Sequence, residues 1–295
     1  MITDRLLAST LAALLAACTG SDPAVEGPRD LAQGADAASG ADLAKGSPLD
    51  EEFNGAEPLG GLKDLYPQLH DQLPLAGAAG RLALTPVAVA YTHWYSDNEG
   101  PFLYKTLTGD FVVETDLLVG RRDDMTQAPR GAYNAGGLLV RDPASARRAQ
   151  RWLMYNLGHQ VNSFAREAKT TRPGAQESLS SLFLVRAPDG ARGGKLRICR
   201  LGQAFHLLHQ HPGEAGWVEE AYDAAITFMG NGAAEPAAGV VPGGVIRFLR
   251  PDLPATVQVG VVVGAWEAPL ETRAEFDYLR FGAPRSLADC AAPLR

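Results

Sequence analysis

Several features are scarce in this 295-residue sequence, and each shortage limits what the protein can do. No apolar run approaches the roughly 20 residues that a membrane-spanning helix needs, so the sequence predicts no transmembrane helix. Lys and Arg number 27 against 34 acidic residues, which gives a net charge of −7. Because the basic residues form no stripe along the sequence, nucleic acid is not an expected partner.

The common catalytic signatures are also missing. The sequence contains no Gly-x-Ser-x-Gly elbow, no His-Glu-x-x-His pair and no phosphate-binding P-loop. Two glycine pairs, Gly193-Gly194 and Gly243-Gly244, do not stand between a strand and a helix. They therefore predict turns and not a phosphate cradle.

Cysteine is rare, with three residues, and the first of them has an informative context. Cys18 follows Leu15-Ala16-Ala17 at the end of the apolar run Leu6–Ala17, which begins just after Arg5. This arrangement resembles the lipobox of bacterial lipoproteins. The resemblance implies that residues 1–17 are a signal peptide and that Cys18 carries lipid, while an ordinary secretory signal is the alternative. Thr19 in place of Asp implies the outer membrane as the location of this cell-envelope protein.

The composition changes twice along the chain, which suggests the domain boundaries. Residues 18–48 contain no aromatic side chain and are rich in Ala, Gly, Asp, Ser and Pro, so they predict a flexible tether with a reach of roughly 30 Å. Residues 49–283 are long enough to bury a single large core. Residues 284–295 are expected to form a C-terminal tail.

The two remaining cysteines have alternative interpretations. In an oxidising envelope, Cys199 and Cys290 could form a disulfide that links two distant segments of the domain. The alternative interpretation is that both residues are separate thiols, because the sequence alone does not show that they meet.

The domain has the periodicity of strands. In the run Phe111–Val119, Phe111, Val113, Thr115, Leu117 and Val119 share one face, and Val112, Glu114, Asp116 and Leu118 share the other. Similar short runs predict strands at Arg81–Thr85, Phe102–Leu107, Gly136–Arg141, Arg151–Leu157, Leu179–Arg186, Lys195–Leu201, Ala204–Gln210, Trp217–Tyr222, Thr256–Gly264 and Thr272–Phe281. Residues 218–229 could form a short helix or a loop, and residues 231–244 predict an exposed loop. Short strands with frequent turn signals favour an all-β sandwich or jelly roll.

Five segments carry a resemblance to a known family. In chain order they are Asp50-Glu51-Glu52-Phe53-Asn54, Gly109-Asp110-Phe111-Val112-Val113-Glu114, Ala135-Gly136-Gly137-Leu138-Leu139-Val140-Arg141-Asp142, Lys195–Phe205 with Gly216-Trp217, and Ala274–Phe281. Their order and spacing resemble the concanavalin A-like jelly rolls of lectins and glucanases, and especially bacterial secreted domains of unassigned function. The resemblance covers residues 50–282 and implies an all-β, antiparallel β-sandwich whose opening and closing strands are neighbours.

Some jelly rolls of this superfamily are laminarinase-type glycosidases, which carry glutamates around an Asp on one strand face. Glu114 and Asp116 match the first half of that motif, but Leu117, Leu118 and Val119 stand where the second glutamate is needed. Retaining hydrolysis uses two carboxyl groups, so the sequence favours a non-catalytic domain. Glu114 and Asp116 remain weak catalytic candidates, while Glu275 and Asp277 form a second same-face pair that the resemblance implies is structural.

Metal binding has only weak candidates, and no cofactor is predicted. His209 and His211 share a strand face while His206 points the other way, and two ligands make a poor zinc site. Asp123 and Asp124 form an acidic pair in the loop after the Phe111 strand. The family resemblance allows a structural calcium ion near the ligand face.

Sugar recognition requires flat apolar faces together with polar side chains that bind hydroxyl groups. Two segments offer this mixture, and we take their residues as candidate ligand-binding residues. The candidates are Trp94, Tyr95, Asp97 and Asn98, with Tyr91 just before them, and Trp152, Tyr155 and Asn156. Core packing is the alternative role for the tryptophans.

The sequence therefore predicts a lipid-anchored envelope protein whose jelly-roll domain binds a glycan or cell-surface polymer without catalysis. A glycosidase with a non-standard second carboxylate is one alternative. An envelope scaffold that binds a protein partner is the other, because a fold does not fix a function.

Overall fold

The computed structural model describes residues 47–54, 59, 61–71, 75–76, 80–87, 92–161, 163–221, 227–232 and 244–294. The predicted signal peptide, Cys18, almost all of the tether and Tyr91 lie outside the described residues. In the part that is described, no helix is long and apolar enough to cross a membrane.

The described chain forms an antiparallel β-sandwich, which confirms the predicted fold class. The eight-stranded sheet has the order β1-β4-β15-β6-β7-β8-β9-β13. The nine-stranded sheet has the order β12-β11-β10-β5-β16-β3-β2, with β14 paired to β11 and β17 paired to β5. The strands are β1 (Lys63–Asp64), β2 (Leu75–Ala76), β3 (Arg81–Leu84), β4 (Phe102–Thr108), β5 (Phe111–Arg121), β6 (Asn134–Arg141), β7 (Trp152–His159), β8 (Phe164–Arg172), β9 (Leu179–Arg186), β10 (Gly193–Leu201), β11 (Ala204–Gln210), β12 (Val218–Glu219), β13 (Thr227–Met229), β14 (Arg247–Leu249), β15 (Thr256–Gly264), β16 (Thr272–Phe276) and β17 (Arg280–Gly282). A short 3-10 helix spans Pro67–Leu69 and one α-helix, α1, spans Leu287–Ala291.

The main core lies between the two sheets and is made by alternate residues of each strand. On β5, Phe111, Val113, Leu117 and Val119 enter this core, as the alternation predicts. Thr115 also points inward, and its hydroxyl donates a hydrogen bond of 2.7 Å to the carbonyl of Tyr278. That bond satisfies the one polar group on an otherwise apolar face, as a buried hydroxyl requires.

Several predicted strand limits agree with the structure, and others differ from it. β9, β11 and β15 have the predicted bounds. The predicted strand 272–281 is interrupted between β16 and β17, and the predicted strand 217–222 shortens to β12. The opening and closing segments are neighbours as expected, because Glu51 forms an antiparallel bridge with Leu279.

Strand β8 was not predicted, although it lies between β7 and β9 in the eight-stranded sheet. Its inward residues include Arg166 and Ala168, and its outward residues include Glu167 and Lys169. Because charged residues occupy both faces, the segment has no apolar period of two and gives no strand signal. This missed strand carries the most informative polar side chains of the outer face.

The segment predicted as a C-terminal tail is packed against the nine-stranded sheet. Ser286 caps α1 by accepting a hydrogen bond from the backbone N–H of Asp289. Cys290 of α1 forms a disulfide with Cys199 of β10, and both residues are buried. Val112 packs against them in a small satellite cluster on the outer face of the sheet.

Candidate functional site

The candidate catalytic and ligand-binding residues lie on opposite sheets. Glu114 and Asp116 of β5 occupy the outer face of the nine-stranded sheet. Trp94, Trp152 and Asn156 lie on the outer face of the eight-stranded sheet. Since the whole core separates these two faces, the two sets cannot belong to one site.

Glu114 is enclosed in a structural ion pair. The Nε of Arg197 donates to Glu114 at 3.0 Å, and its Nη2 forms a second, shorter contact with the same carboxylate. The Nη1 of Arg197 donates to the carbonyls of Cys290 and Ala292, so the guanidinium also holds the C-terminal segment. With only 5% of Glu114 exposed, its carboxylate cannot reach a polysaccharide. The candidate catalytic role of Glu114 is therefore wrong.

Asp116 is more exposed than Glu114 but has no arrangement for catalysis. Burial raises the pKa of its carboxyl, nearby Lys195 lowers it, and Asp277 raises it further. Asp277 lies 3.5 Å from Arg81, and Glu275 pairs with Arg273 at 2.7 Å. Asp277 thus pairs with a residue of β3 and Glu275 with a residue of its own strand, β16, and we assign both carboxylates a structural role.

Two candidate tryptophans are buried and cannot offer a ring face to a ligand. Trp94 is 1% exposed and Trp152 is fully buried. Their rings meet edge to face with centroids 5.7 Å apart, and Phe102 packs edge to face on Trp94 at 5.9 Å. Both tryptophans belong to a satellite core under the 92–99 loop, which corrects the prediction of a binding platform.

Tyr155 also needs correction, because its side chain points into the main core. It is fully buried, and its hydroxyl donates to Glu220 at 2.6 Å. Burial, reinforced by the charge of Glu220, holds its pKa far above the ordinary range. Tyr155 therefore cannot touch an external ligand.

Asp97 and Asn98 shape the loop and make no platform of their own. Asp97 Oδ1 accepts hydrogen bonds from the backbone N–H of Arg148 at 2.6 Å and from the hydroxyl of Ser178 at 2.6 Å. Asn98 pairs with Tyr95 through backbone hydrogen bonds. These contacts hold the 92–99 loop against the eight-stranded sheet and orient Tyr95.

Tyr95 opens into a pocket on the outer face of the eight-stranded sheet, which we call the aromatic pocket. Its volume is about 230 Å³. Its walls come from the 92–99 loop, the start of β6, the outward face of β8 and β9, and the segment after β15. The lining residues are His93, Tyr95, Tyr133, Lys169, Leu182, Gly230 and Trp266.

Backbone pairing brings the walls of the aromatic pocket together. Thr92 forms an antiparallel bridge with Ala265, so His93 and Trp266 lie on the same face, diagonally across that pair. Their ring centroids are 4.0 Å apart. Tyr133 has a φ of 53°, a left-handed conformation that is uncommon for a bulky residue. Such strained backbone is concentrated at functional sites.

A polar network on β7 and β8 adjoins the aromatic pocket and reaches its lining through Lys169. Lys169 Nζ lies 2.7 Å from Glu167 Oε1 and donates to the carbonyl of Trp94 at 2.9 Å. Asn156 donates to the other oxygen of Glu167 at 2.8 Å and accepts from Gln160 at 3.3 Å. A small cavity of about 20 Å³, lined by Asn156, Glu167 and Lys169 among others, lies beside the aromatic pocket and shares His93 with it. The predicted ligand-binding residue Asn156 lines this small cavity.

Burial and neighbouring charges fix the protonation states in the pocket. Burial, assisted by the positive charge of Lys169, lowers the pKa of His93 to about 3, so its imidazole is neutral at neutral pH. Burial, together with Glu167 and Glu267, raises the pKa of Tyr133 to about 12. Burial also raises the pKa of Tyr95. Both phenols therefore keep their protons and can donate hydrogen bonds.

The buried histidines predict a loss of stability in mild acid. His93 and His209 have pKa values of about 3 and about 4 in the folded chain, against about 6.5 when unfolded. Protonation thus favours the unfolded state, and the stability present above pH 6.5 falls as the pH drops towards 4. We expect a slope of about 1.4 kcal/mol per pH unit for each histidine. Urea denaturation between pH 4.5 and 7 measures it, and an unchanged slope in His93→Gln would contradict this assignment.

The candidate metal ligands do not form a metal site. His209 and His211 share a face, with ring centroids 5.3 Å apart, but Arg166 contacts His211 and forms an ion pair with Glu220 beside them. A guanidinium at this point repels a cation. Asp124 instead accepts hydrogen bonds from Thr126. Across the described ranges, no group of three or more His, Cys, Asp or Glu residues is arranged to hold a metal ion.

A larger groove of about 540 Å³ lies on the other side of the molecule. It includes Asp116, Lys195, His211 and Glu214, together with the backbone of the turn at residues 190–194. Its described lining contains no Trp, Tyr or Phe side chain, so it offers no flat apolar surface to a sugar ring. The aromatic pocket is therefore the better candidate site despite its smaller volume.

Of the residues that line the aromatic pocket, the candidates from the sequence include Tyr95 and none of the others. Tyr133 and Trp266 are isolated aromatics within polar or glycine-rich segments, far from Tyr95 in sequence. Glu167 and Lys169 belong to the unpredicted strand β8. The alternation of charged residues in Arg166–Lys169 was the one available signal, since charges on both faces of a central strand indicate buried ion pairs.

The comparisons with known proteins concern the fold. No protein-family model and no curated protein matches this chain. The chain is similar to the solved structure of a functionally unknown protein from Saccharomyces cerevisiae, with 12% identity, a TM-score of 0.50, and coverage of 77% of this chain and 99% of that chain. At such identity the similarity shows the fold alone, and the described strands form the predicted antiparallel β-sandwich.

Two further similar structures have lower scores. Lectin I-B4 from Griffonia simplicifolia, in its metal-free form, has 10% identity and a TM-score of 0.46, with coverage of 80% of this chain and 99% of that chain. A protein described as Bacteroides ovatus xyloglucan PUL GH43B has 12% identity and a TM-score of 0.46. That match covers 81% of this chain and 40% of the Bacteroides chain.

Proposed function

We propose that this domain is a carbohydrate-binding module that holds a glycan in the aromatic pocket without cleaving it. The observation that carries the proposal is a pocket lined by three aromatic side chains together with two polar ones. They are Tyr95, Tyr133 and Trp266, with His93 and Lys169. Aromatic faces pack against the C–H groups of a sugar ring, while polar side chains satisfy its hydroxyl groups. The fold class, which includes lectins, is compatible with this role.

The charge arrangement of the pocket supports binding and not hydrolysis. Glycosidases of the usual kind need two carboxyl groups on either side of the scissile bond. Among the described residues that line the aromatic pocket and the small cavity beside it, Glu167 is the one carboxylate, and it is paired with Lys169. A carboxylate held in that pair is poorly suited to act as a general acid.

Replacing Trp266 tests the proposal. Trp266→Ala removes one aromatic wall and is expected to weaken glycan binding about tenfold or more, which corresponds to a loss of about 1.4 kcal/mol. A glycan array identifies the ligand, and isothermal titration calorimetry then gives the affinities. Trp217→Ala is the matched control, because Trp217 is equally part-buried but lies on the nine-stranded sheet.

Two results would contradict the proposal. Specific glycan binding that survives Trp266→Ala but not Trp217→Ala would move the site to the other sheet. Release of reducing sugar from the bound glycan by the purified protein would make the domain an enzyme.

We also propose that Cys18 attaches the domain to the bacterial envelope through lipid, with the following residues as its tether. The lipobox-like context of Cys18 supports this part. Metabolic labelling with a radioactive fatty acid is expected to mark the wild-type protein in a bacterial host and to leave Cys18→Ala unlabelled. Equal labelling of both would contradict the anchor at this residue.

A further inference from the structure

We propose that the aromatic pocket recognises the acetamido group of an N-acetylated sugar at the end of a glycan. This inference rests on the carbohydrate-binding function proposed above and adds the class of sugar. The pocket supports it with two hydrogen-bond donors on one wall, a described lining without carboxylate or amide side chains, and an apolar surface made largely of rings.

Tyr95 provides the first donor. The backbone N–H of Asn231 donates to its phenol oxygen at 2.7 Å, and Gly230, the residue before Asn231, lines the pocket. Asn231 is itself held in place, because its Oδ1 accepts from the backbone N–H of Ser180 at 2.6 Å and its Nδ2 donates to the carbonyl of Ser178 at 3.0 Å. Among the described residues, no group accepts a hydrogen bond from the Tyr95 hydroxyl. A phenol has one proton to donate, so Tyr95 has a fixed position and one hydrogen bond to give to a ligand.

Lys169 provides the second donor. Its ammonium group donates to the carbonyl of Trp94 at 2.9 Å and lies 2.7 Å from Glu167. An ammonium has three N–H donors, so these two neighbours leave one for a ligand. The same nitrogen lies over the ring of Tyr95, 5.7 Å from its centroid, which places both donors on one wall of the pocket. Because Glu167 balances the charge of Lys169, the pair exerts little net attraction or repulsion on a charged ligand of either sign, and Lys169 acts mainly as a hydrogen-bond donor.

The lining of the aromatic pocket is poor in side chains that accept hydrogen bonds. Its described residues include no Asp, Glu, Asn or Gln, whose oxygens are the usual acceptors for the protons of sugar hydroxyl groups. His93 adds a single acceptor nitrogen, since a neutral imidazole has one donor and one acceptor. A hydroxyl group held by two donors must still find an acceptor for its own proton, whereas a carbonyl oxygen has no proton to place. The two donors therefore suit a carbonyl oxygen of the ligand better than a hydroxyl group.

The rings beside these donors offer an apolar surface for a methyl group. The ring of His93 lies nearly parallel to that of Tyr95, with centroids 6.1 Å apart, and 4.0 Å from that of Trp266. Leu182 of β9 adds an aliphatic side chain to the same lining. An acetamido group is planar and carries a methyl group beside its carbonyl oxygen, so it can use the donors and the apolar surface together. A carboxylate lacks the methyl group, and an unacetylated amine brings more donors to a lining that is short of acceptors.

The volume of the aromatic pocket limits the ligand to about one sugar ring. Sites for drug-sized ligands commonly have volumes of roughly 300–1,000 Å³, and the aromatic pocket has about 230 Å³. We therefore expect recognition of a terminal N-acetylated sugar or of a single-sugar branch. The remainder of the glycan would stay outside the pocket.

The test compares oligosaccharides that share one carrier chain and differ in the terminal sugar. The terminal sugar is N-acetylglucosamine, N-acetylgalactosamine, glucose, glucosamine with a free amine, or glucuronic acid. Calorimetric titration is expected to show that one of the two N-acetylated chains binds about tenfold more tightly, or better, than each of the other three kinds. Trp266→Ala should abolish this preference together with the binding, which places the ligand in the aromatic pocket.

Removal of the Tyr95 hydroxyl tests the donor directly. Tyr95→Phe keeps the ring and is expected to reduce the preference for the N-acetylated chain over the glucose chain to about threefold or less. The measured quantity is the ratio of two affinities, which a general change in stability would not alter. Tyr104→Phe is the matched control, because Tyr104 is a part-buried phenol on β4 of the same sheet and does not line the pocket. It should leave the ratio unchanged.

The outcomes separate the two proposals. If the chain that ends in glucose, glucosamine or glucuronic acid binds as tightly as the N-acetylated chains and still requires Trp266, the acetamido selection is wrong while the carbohydrate-binding function stands. If Tyr95→Phe and Tyr104→Phe change the ratio of affinities equally, the Tyr95 hydroxyl does not select the ligand and the inference fails. If no glycan binds, both proposals are overturned.

Discussion

Removal of the Cys199–Cys290 disulfide is expected to lower the free energy of unfolding by about 4 kcal/mol. The two cysteines are 91 residues apart in sequence, so the bond closes a long loop and removes much conformational freedom from the unfolded chain. It also anchors α1, whose Cys290 carbonyl accepts a hydrogen bond from Arg197. Urea denaturation of the wild type and of the Cys199→Ala/Cys290→Ala variant measures the difference.

A reducing agent provides the control for this prediction. The wild type in dithiothreitol should lose about the same stability as the double variant, and the double variant should not respond to the reagent. A loss below about 1 kcal/mol in both comparisons would show that the cross-link contributes little. Glycan binding at the aromatic pocket should persist under conditions in which the protein stays folded, because the pocket lies on the other sheet.

Substitution of Glu114 by Leu is expected to cost about 3–5 kcal/mol of stability, the usual range for breaking a buried ion pair. The substitution leaves the guanidinium of Arg197 buried with no carboxylate partner. Burial already lowers the pKa of Arg197, and Glu114 opposes that shift. Thermal or urea denaturation gives the size of the effect.

A double variant separates a structural role of Glu114 from a catalytic one. Glu114→Leu combined with Arg197→Met removes both charges together, so it should recover a large part of the stability lost in Glu114→Leu. Asp116→Asn is the matched single change on the same face and should cost less than about 1 kcal/mol. Wild-type stability in Glu114→Leu, accompanied by a changed glycan turnover, would restore the catalytic interpretation.

The fold could be predicted because strand periodicity is a local property. The alternation in Phe111–Val119 assigns each β5 side chain to the correct face, and β9, β11 and β15 have the predicted bounds. The bridge between Glu51 and Leu279 agrees with the prediction that the opening and closing segments of the domain are neighbours. Strand β8 was not predicted because charged residues occur on both of its faces and interrupt the apolar alternation.

The site was harder to predict because burial decides which aromatic ring can meet a ligand. Trp94 and Trp152 have sequence contexts as favourable as that of Tyr95, yet both are buried, while Tyr95 is half-buried and lines the pocket. Trp266 reaches the pocket through the bridge between Thr92 and Ala265, a pairing across 173 positions. No periodicity or local motif in the sequence predicts a contact between residues so far apart in the chain.

The tryptophan indole signals offer the most direct test of the claim that the aromatic pocket binds a glycan. The sequence has four tryptophans, with Trp266 in the pocket, Trp94 and Trp152 buried near it, and Trp217 on the opposite sheet. Titration of the nitrogen-15-labelled protein with the oligosaccharide selected by the array should shift the Trp266 indole signal strongly and leave the Trp217 signal unchanged. A shift of the Trp217 signal with an unmoved Trp266 signal would contradict the account.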